Sequence, residues 1–495
     1  MSNPIDLEFS RQLATAATLS DKAGDVLHFF EKPVLLTGEP EILATKNGRG
    51  CFINLIRLLA RMTENLTIQL VGSPGLQVSI EGVIQKARLK KITFTTEPEL
   101  DLAQFEAILS VGTRTRPELP WTVVNSNGWT ARVSSSTTSL SDNCSQDNPI
   151  TALAAACLAV TEIFKRLVGL RSERGELQDG LCFSFYRYEV ADDPGPPLPE
   201  TLKGDLLVVG AGAIGNGIAH LLQELPTEGR VSIVDRQIYR EENLGTCLLI
   251  GRDDLFKPKA KTMAALFRKA SARGFDEDVQ TFITKRLGTE IPSPDVVLNG
   301  LDDIEARRHV QTIWPDLAID GAIGAFSCEV SLHPWGPDLS CLMCDFELPA
   351  ESAAKKESAL TGIPEERLAD LLAPLTKEDV SSAVPEKREW LQKRIRIQKC
   401  SIISEAELEK IAQEEHEEGF EPSVPFVACL SASMIVTELI RHLTGWAPVL
   451  ETGYQFDVLV GPQNGIKKAH ARKSTCICVQ RKRVIETLRQ NRNKG

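Results

Sequence analysis

The chain has 495 residues, 42% of them hydrophobic and 25% charged, with a formal net charge of −11. That length supplies two or more domains with large cores, and the acidic balance speaks against nucleic acid or an anionic membrane as the main partner. Met1 to Phe30 lacks the basic start and apolar centre of a secretory signal, and the apolar helical runs carry charges or fall short of a bilayer span. A cytoplasmic setting is therefore expected, with most of the twelve cysteines reduced.

In chain order, the first half offers strands at Leu66–Val71 and Ala107–Gly112, and a strand pair around Trp121–Val124 and Trp129–Val133. None leads into a three-glycine loop, so this half is not expected to hold ATP by itself. Next comes Val160-Thr-Glu-Ile-Phe-Lys-Arg-Leu-Val-Gly169, preceded by the small-residue run Ala152–Cys157. It shares five of ten positions with Val436-Thr-Glu-Leu-Ile-Arg-His-Leu-Thr-Gly445, which follows Ala428–Ala432. Glycine would end each helix. Shared amphipathic composition is one explanation; the other is two copies of one α/β domain facing across a pseudo-twofold axis. Ala191-Asp-Asp-Pro-Gly-Pro-Pro-Leu-Pro-Glu200 reads as a linker. The expected division is a front domain over 1–190, a linker over 191–204, a rear domain over 205–344 and 422–495, and an insertion over 345–421.

The rear half opens with the most informative stretch, Asp205-Leu-Leu-Val-Val-Gly-Ala-Gly-Ala-Ile-Gly215. A short apolar strand ends in Gly210, Gly212 and Gly215, a helix follows through Leu225, and a second strand, Val231–Asp235, ends in an acid. Glycines let the backbone approach a phosphate, a helix N-terminus supplies N–H groups and positive dipole, and the acid can accept from ribose hydroxyls. Beyond it stand Asn243-Leu244, then Asp253-Asp-Leu-Phe-Lys-Pro-Lys259-Ala, a helix, and the strand–turn Asp295-Val-Val-Leu-Asn-Gly-Leu-Asp302-Asp.

These elements, in this order, resemble the family of ubiquitin-activating enzymes and bacterial sulfur-carrier adenylyltransferases (ThiF–MoeB type). The resemblance covers about residues 204–345 and 420–480, and the front half faintly. It implies an α/β fold of two Rossmann-like adenylation domains forming a pseudo-dimer in one chain, with a helical cysteine-bearing insertion. It makes Asp235 the ribose acid, Asn243 a nucleotide-positioning amide, Lys259 the lysine that neutralises ATP phosphates and Asp302 the Mg²⁺ carboxylate. An ammonium and a divalent cation offset charge that builds on the α-phosphate and pyrophosphate. One departure stands out: Thr246 occupies the place of an arginine, and neither Arg240 nor Arg252 is an assignable substitute. At the other end, Phe9-Ser-Arg11-Gln-Leu13 resembles the family's N-terminal segment, whose arginine reaches across the dimer to the partner's ATP; here Arg11 would serve the rear site within one chain.

Cys341 and Cys344, with Cys476 and Cys478, resemble the family's structural Zn²⁺ site, although C-x-C in place of C-x₂-C in the second pair is unusual. Within the insertion, Cys400-Ser-Ile resembles the thioester-forming cysteine of activating enzymes, and Arg396 and Lys399 beside it would favour a thiolate. Cys328 and Cys429 read as packing residues. Ile363–Leu372 and Glu405–Gln413 read as amphipathic helices, and Glu414–Glu418 as a solvated acidic face. The expectation is ATP-dependent adenylation of a ubiquitin-like protein's C-terminus, thioester formation on Cys400 and transfer to a conjugating enzyme, most like the activating enzymes of bacterial ubiquitin-like (Bil-type) antiphage operons. Alternatives are a sulfur-carrier adenylyltransferase without the thioester step, a NAD-dependent oxidoreductase, or a non-catalytic scaffold.

Overall fold

A computed structural model of the chain describes residues 12, 15–16, 26–87, 91–170, 173–267, 271–324, 326–336, 339–346, 353–371, 373–399, 401–403, 406 and 424–492. The front half is built on β1 (Val34–Gly38), β2 (Asn65–Gln69), β3 (Lys91–Thr95), β4 (Ala107–Val111), β5 (Trp121–Asn127), β6 (Thr130–Ser134), β7 (Leu181–Ser184) and β8 (Glu189–Val190). They form one sheet in the order β3-β2-β1-β4-β5-β6-β7-β8, parallel from β3 to β5 and antiparallel beyond. A small parallel pair, β9 (Leu202–Lys203) with β11 (Thr227–Glu228), brackets the start of the rear half.

The rear half repeats the plan. Its strands are β10 (Leu206–Val209), β12 (Arg230–Val234), β13 (Ser271–Phe275), β14 (Val296–Asn299), β15 (Leu317–Gly324), β16 (Ser327–Pro334), β17 (Gly453–Asp457) and β18 (Ile466–Lys468). Their order is β13-β12-β10-β14-β15-β16-β17-β18, again parallel up to β15 and antiparallel after it. The central strands read as unbroken apolar runs, Leu206-Leu-Val-Val209 and Val296-Val-Leu298, because helices cover both faces of a parallel sheet.

Helices α1 (Lys46–Leu59) and α2 (Pro149–Val168) of the front half correspond to α3 (Ala213–Glu224) and α4 (Pro425–Thr444) of the rear. Both α2 and α4 start on proline and end on a left-handed glycine, Gly169 at φ 70° and Gly445 at φ 68°. Each buries an ion pair at the same place, Glu162–Lys165 at 2.6 Å and Glu438–Arg441 at 3.4 Å. The two helices pack on each other, so one apolar core runs through both halves. Phe164 meets Phe326 and Phe426 at centroid separations of 5.6 and 5.8 Å, and Trp129 meets Trp446 edge-on at 5.9 Å. By length and composition α4 could cross a bilayer, contrary to the reading of the apolar runs, yet it lies buried in this core.

The proline-rich segment after β8 is pinned rather than free. Trp129 donates from its backbone to Pro194 and from its indole to Pro196, and Gln146 donates to the carbonyls of Pro194, Gly195 and Pro196. Residues 347–421 form a separate compact unit with a small core of Ile363, Leu368, Leu375, Val380, Leu391 and Ile402. There the helix expected over Ile363–Leu372 is not formed. A helix runs over Ala353–Thr361 instead, Gly362 turns left-handed at φ 75°, and Pro364 admits only a single 3₁₀ turn at Glu365–Arg367. The Glu405–Gln413 and Glu414–Glu418 segments lie outside the described residues, apart from Ala406.

Candidate active site

The carboxyl ends of β10, β12 and β14 meet at the glycine loop. Gly210 has φ 89°, and a Cβ there would sit 3.0 Å from the Gly300 carbonyl oxygen. At Gly215 a Cβ would collide with the Gly210 carbonyl, whereas Gly212, the N-cap of α3, faces open space. Two glycines therefore let the chain turn tightly, and the third leaves room over the helix N-terminus. Asn216, fully buried, braces the loop by donating to the carbonyls of Ala211 and Gly212 and accepting from Leu249 N–H. Tyr239 hydroxyl donates to the Ala211 carbonyl at 3.0 Å.

Asp235, half-buried at the end of β12, accepts from Ala211 N–H at 2.7 Å and from Gln237 N–H at 2.7 Å. Lys259 begins the helix Lys259–Ala264 and is buried, its ammonium 2.7 Å from Gln237 Oε1 and 5.9 Å from the Tyr239 ring centroid. Asn243 is buried and accepts from Arg240 N–H at 2.9 Å, capping the turn Glu241–Leu244. Asp302 is exposed just past β14, and the next residue, Asp303, caps the helix Ile304–Gln311 by accepting from Ala306 N–H. Beneath that turn lies a buried polar group absent from the sequence reading. Asp320 accepts from the Asn299 amide and from Arg307 at 2.9 Å, while Arg307 Nε donates to the Leu301 carbonyl at 2.8 Å. Burial pushes the Asp320 carboxyl up to about 6. Asn299 interrupting the apolar run of β14, and Asp320 that of β15, were the available signals.

The front half carries different residues at the corresponding places. Gly38-Glu39-Pro40 follows β1 as Gly210-Ala211-Gly212 follows β10, and Leu43 stands where Gly215 stands. A Cβ on Gly38 would meet Leu43 at 2.8 Å. The Glu39 carboxylate turns inward and accepts from the backbone N–H groups of Thr113 and Arg114, each at 3.0 Å, and from the Thr113 hydroxyl. By strand register Thr113 stands at the place of Asp302. β1 itself was missed in the sequence, and with it this comparison.

Cys341, Cys344, Cys476 and Cys478 come together with all four sulfurs within 4.8 Å of one another. The contacts Cys341–Cys344, Cys341–Cys476 and Cys344–Cys478 measure 3.8, 3.6 and 3.6 Å. Thiolates tetrahedral about Zn²⁺ at roughly 2.3 Å stand about 3.8 Å apart, so the donor set and spacing fit that ion. The C-x-C pair converges on the cluster, with Cys476 in extended backbone at the N-cap position and Cys478 within the turn Ile477–Gln480. Burial pushes the Cys476 thiol up to about 11 and raises Cys341 as well. Cys328 and Cys429 are buried in the core. Cys400 and Arg11 lie outside the described residues. Of the two cations beside Cys400 in sequence, Lys399 is buried, donates to the Arg367 carbonyl at 2.6 Å and pairs with Asp379 at 3.2 Å.

The ThiF family model matches residues 200–478, and the BilD N-terminal domain model matches residues 33–181. The chain is similar to the SAMP-activating enzyme E1 of Haloferax volcanii, 27% identical over 185 residues, covering 36% of this chain and 67% of that protein. It is also similar to the bacterial E1-like protein BilD of Collimonas sp., 28% identical over 254 residues, covering 44% of this chain and only about half, 52%, of that relative. Among solved structures it is similar to E. coli MccB with ATP, at 14% identity, 56% and 66% coverage of the two chains and a TM-score of 0.33. MccB with MccA-N7isoASN gives 13% identity, 56% and 67% coverage and a TM-score of 0.35.

Proposed function

Since the chain belongs to the ThiF family, we propose that its rear half adenylates the C-terminal carboxylate of a small ubiquitin-like protein. A carboxylate oxygen attacks the α-phosphorus of ATP, the bond to the β-phosphate oxygen breaks with its electron pair leaving on pyrophosphate, and an acyl adenylate forms. The glycine loop and the N-terminus of α3 take the phosphates, Asp235 the ribose and Asn243 the nucleotide. Lys259 releases Gln237 to meet phosphate, and Arg11 assists from the N-terminal segment. Asp302, exposed to incoming ligand, would hold Mg²⁺ together with phosphate oxygens and water; that ion supplies Lewis-acid stabilisation of the developing charge. The observation that carries the reading is the contrast between the halves: one fold twice, with the phosphate loop open in the rear and filled by Glu39 in front. The front half is thus an inactive partner. The four cysteines would hold a structural Zn²⁺.

In the second step the Cys400 thiolate attacks the acyl carbon, AMP leaves, and the thioester passes to a conjugating enzyme's cysteine. The relatives named for activating SAMP and as E1-like support this ordering. We further infer an antiphage role in the bacterial cytoplasm, from the resemblance of the sequence to Bil-type activating enzymes. The test is ATP–pyrophosphate exchange with a candidate carrier protein, followed by non-reducing electrophoresis. Exchange together with a thiol-sensitive carrier adduct that Cys400→Ala abolishes supports both steps. Exchange without an adduct leaves a sulfur-carrier adenylyltransferase, and no exchange with any carrier that binds overturns the reading.

A further inference from the structure

The segment between Asn243 and Lys259 has no strand and is shaped by local turns; it is also held from the front half at three points, two of them backbone carbonyls. Gln12 Nε2 donates to the Gly245 carbonyl at 2.6 Å and to the Arg61 carbonyl at 3.2 Å. Arg61, one residue past the end of α1's cap, sends Nη2 to the Ile250 carbonyl at 2.7 Å and Nη1 to the Arg57 carbonyl at 2.7 Å. Lys86 pairs with Asp254 at 3.1 Å, and Asp254 in turn accepts from Gly251 N–H. Gly251 packs so closely on Lys86 that an added Cβ would lie 2.9 Å from its carbonyl oxygen.

Arg61 is the unusual member. It is 1% exposed, has no carboxylate partner among the described residues, and its Nε is buried without a hydrogen bond. Burial lowers its pKa to about 10. A desolvated guanidinium spent only on carbonyls is costly, and the carbonyl it grips belongs to the segment that carries Thr246 in place of an arginine. That segment also reaches the glycine loop directly, through Leu249 N–H on Asn216.

We propose that Arg61 and Gln12 are positioning residues, supplied by the front half, that hold residues 245–254 of the rear half in the nucleotide-binding conformation. This rests on the adenylation reading above. The inactive half then contributes structure to the site through two side chains rather than through general packing. The loop that carries Thr246 is thus tied down by carbonyl contacts from Arg61 and Gln12.

The test uses the full chain, Mg²⁺ and the non-hydrolysable analogue AMPCPP, with calorimetry and amide hydrogen exchange side by side. Arg61→Lys keeps the charge but loses the second arm of the fork, and Gln12→Met removes both carbonyl contacts with little volume change. Each should weaken AMPCPP binding about tenfold and speed exchange in 245–254, while exchange in α2 and α4 stays at the wild-type rate. Wild-type affinity in both variants overturns the inference, as does faster exchange throughout the core. If the wild-type chain fails to bind AMPCPP at all, the adenylation reading falls, and this inference with it.

Discussion

Single side chains decide whether the rear pocket works. Lys259 sits buried with one hydrogen bond to Gln237, so its ammonium is pre-positioned in a low-dielectric wall where charge stabilisation is strong. Lys259→Ala and Asp302→Ala should each lower ATP–pyrophosphate exchange by about 10²–10³-fold with melting temperature unchanged; an exchange rate within threefold of wild type would remove that residue from the mechanism. Gly215→Ala forces a methyl group against the Gly210 carbonyl and should abolish nucleotide binding while costing about 1–3 kcal/mol of stability. His220 reports on the seam between the halves. It is buried, bonded to Asn54 of α1 at 2.8 Å, and held well below the ordinary histidine range by burial and by Arg57. The unfolded chain takes up a proton below about pH 6.5 that the fold refuses, so this group's contribution is complete above that pH and is lost as pH falls. Unfolding free energies of wild type and His220→Gln from urea titrations should diverge toward acid by about 1.4 kcal/mol per pH unit; a constant difference from pH 7.5 to 5.0 would contradict this.

At the level of elements, what was legible followed chemistry that is local in sequence. The glycine loop, Asp235, Lys259 and Asp302 are each fixed by the strand or helix end on which they stand, so β10, β12 and β14 could be read with their candidate residues attached. The repeated helices were legible too, because proline, small residues and a terminal glycine recur in α2 and α4. β1 was not legible: Val34–Gly38 is a short apolar run with Glu39 and Pro40 after it, and only its pairing between β2 and β4 makes it the counterpart of β10. Nor could Arg61 be read, since its partner at Ile250 is a backbone carbonyl 189 positions away. Lys399 stands next to Cys400 in sequence, yet the fold pairs its ammonium with Asp379, a contact that adjacency could not reveal; Cys400 itself lies outside the described residues. For the four-cysteine cluster, one zinc per chain is expected by elemental analysis. Cys344→Ser should release it and open the C-terminal helix Lys482–Arg492 to trypsin. Because the Cys341 and Cys476 thiols lie high without metal, zinc retention should weaken as pH falls.

For the whole molecule, the shared core sets the expectations. With α2 packed on α4 and Phe164 against Phe326 and Phe426, residues 200–495 alone would expose a large apolar face. They should bind a hydrophobic dye, melt without a cooperative transition and regain one when residues 1–199 are co-expressed. Nucleotide stoichiometry should be one per chain, since in the front half the Glu39 carboxylate already takes the backbone N–H groups of Thr113 and Arg114; calorimetry returning two would mean that the front half accepts a ligand after all. That carboxylate also carries a lesson about fusion. In an assembly of two identical subunits every substitution is inherited twice, so a glutamate at this place would silence both pockets together. Joined end to end, the copies mutate independently: one can forfeit its ligand and specialise as a brace, provided its sibling keeps the older trade.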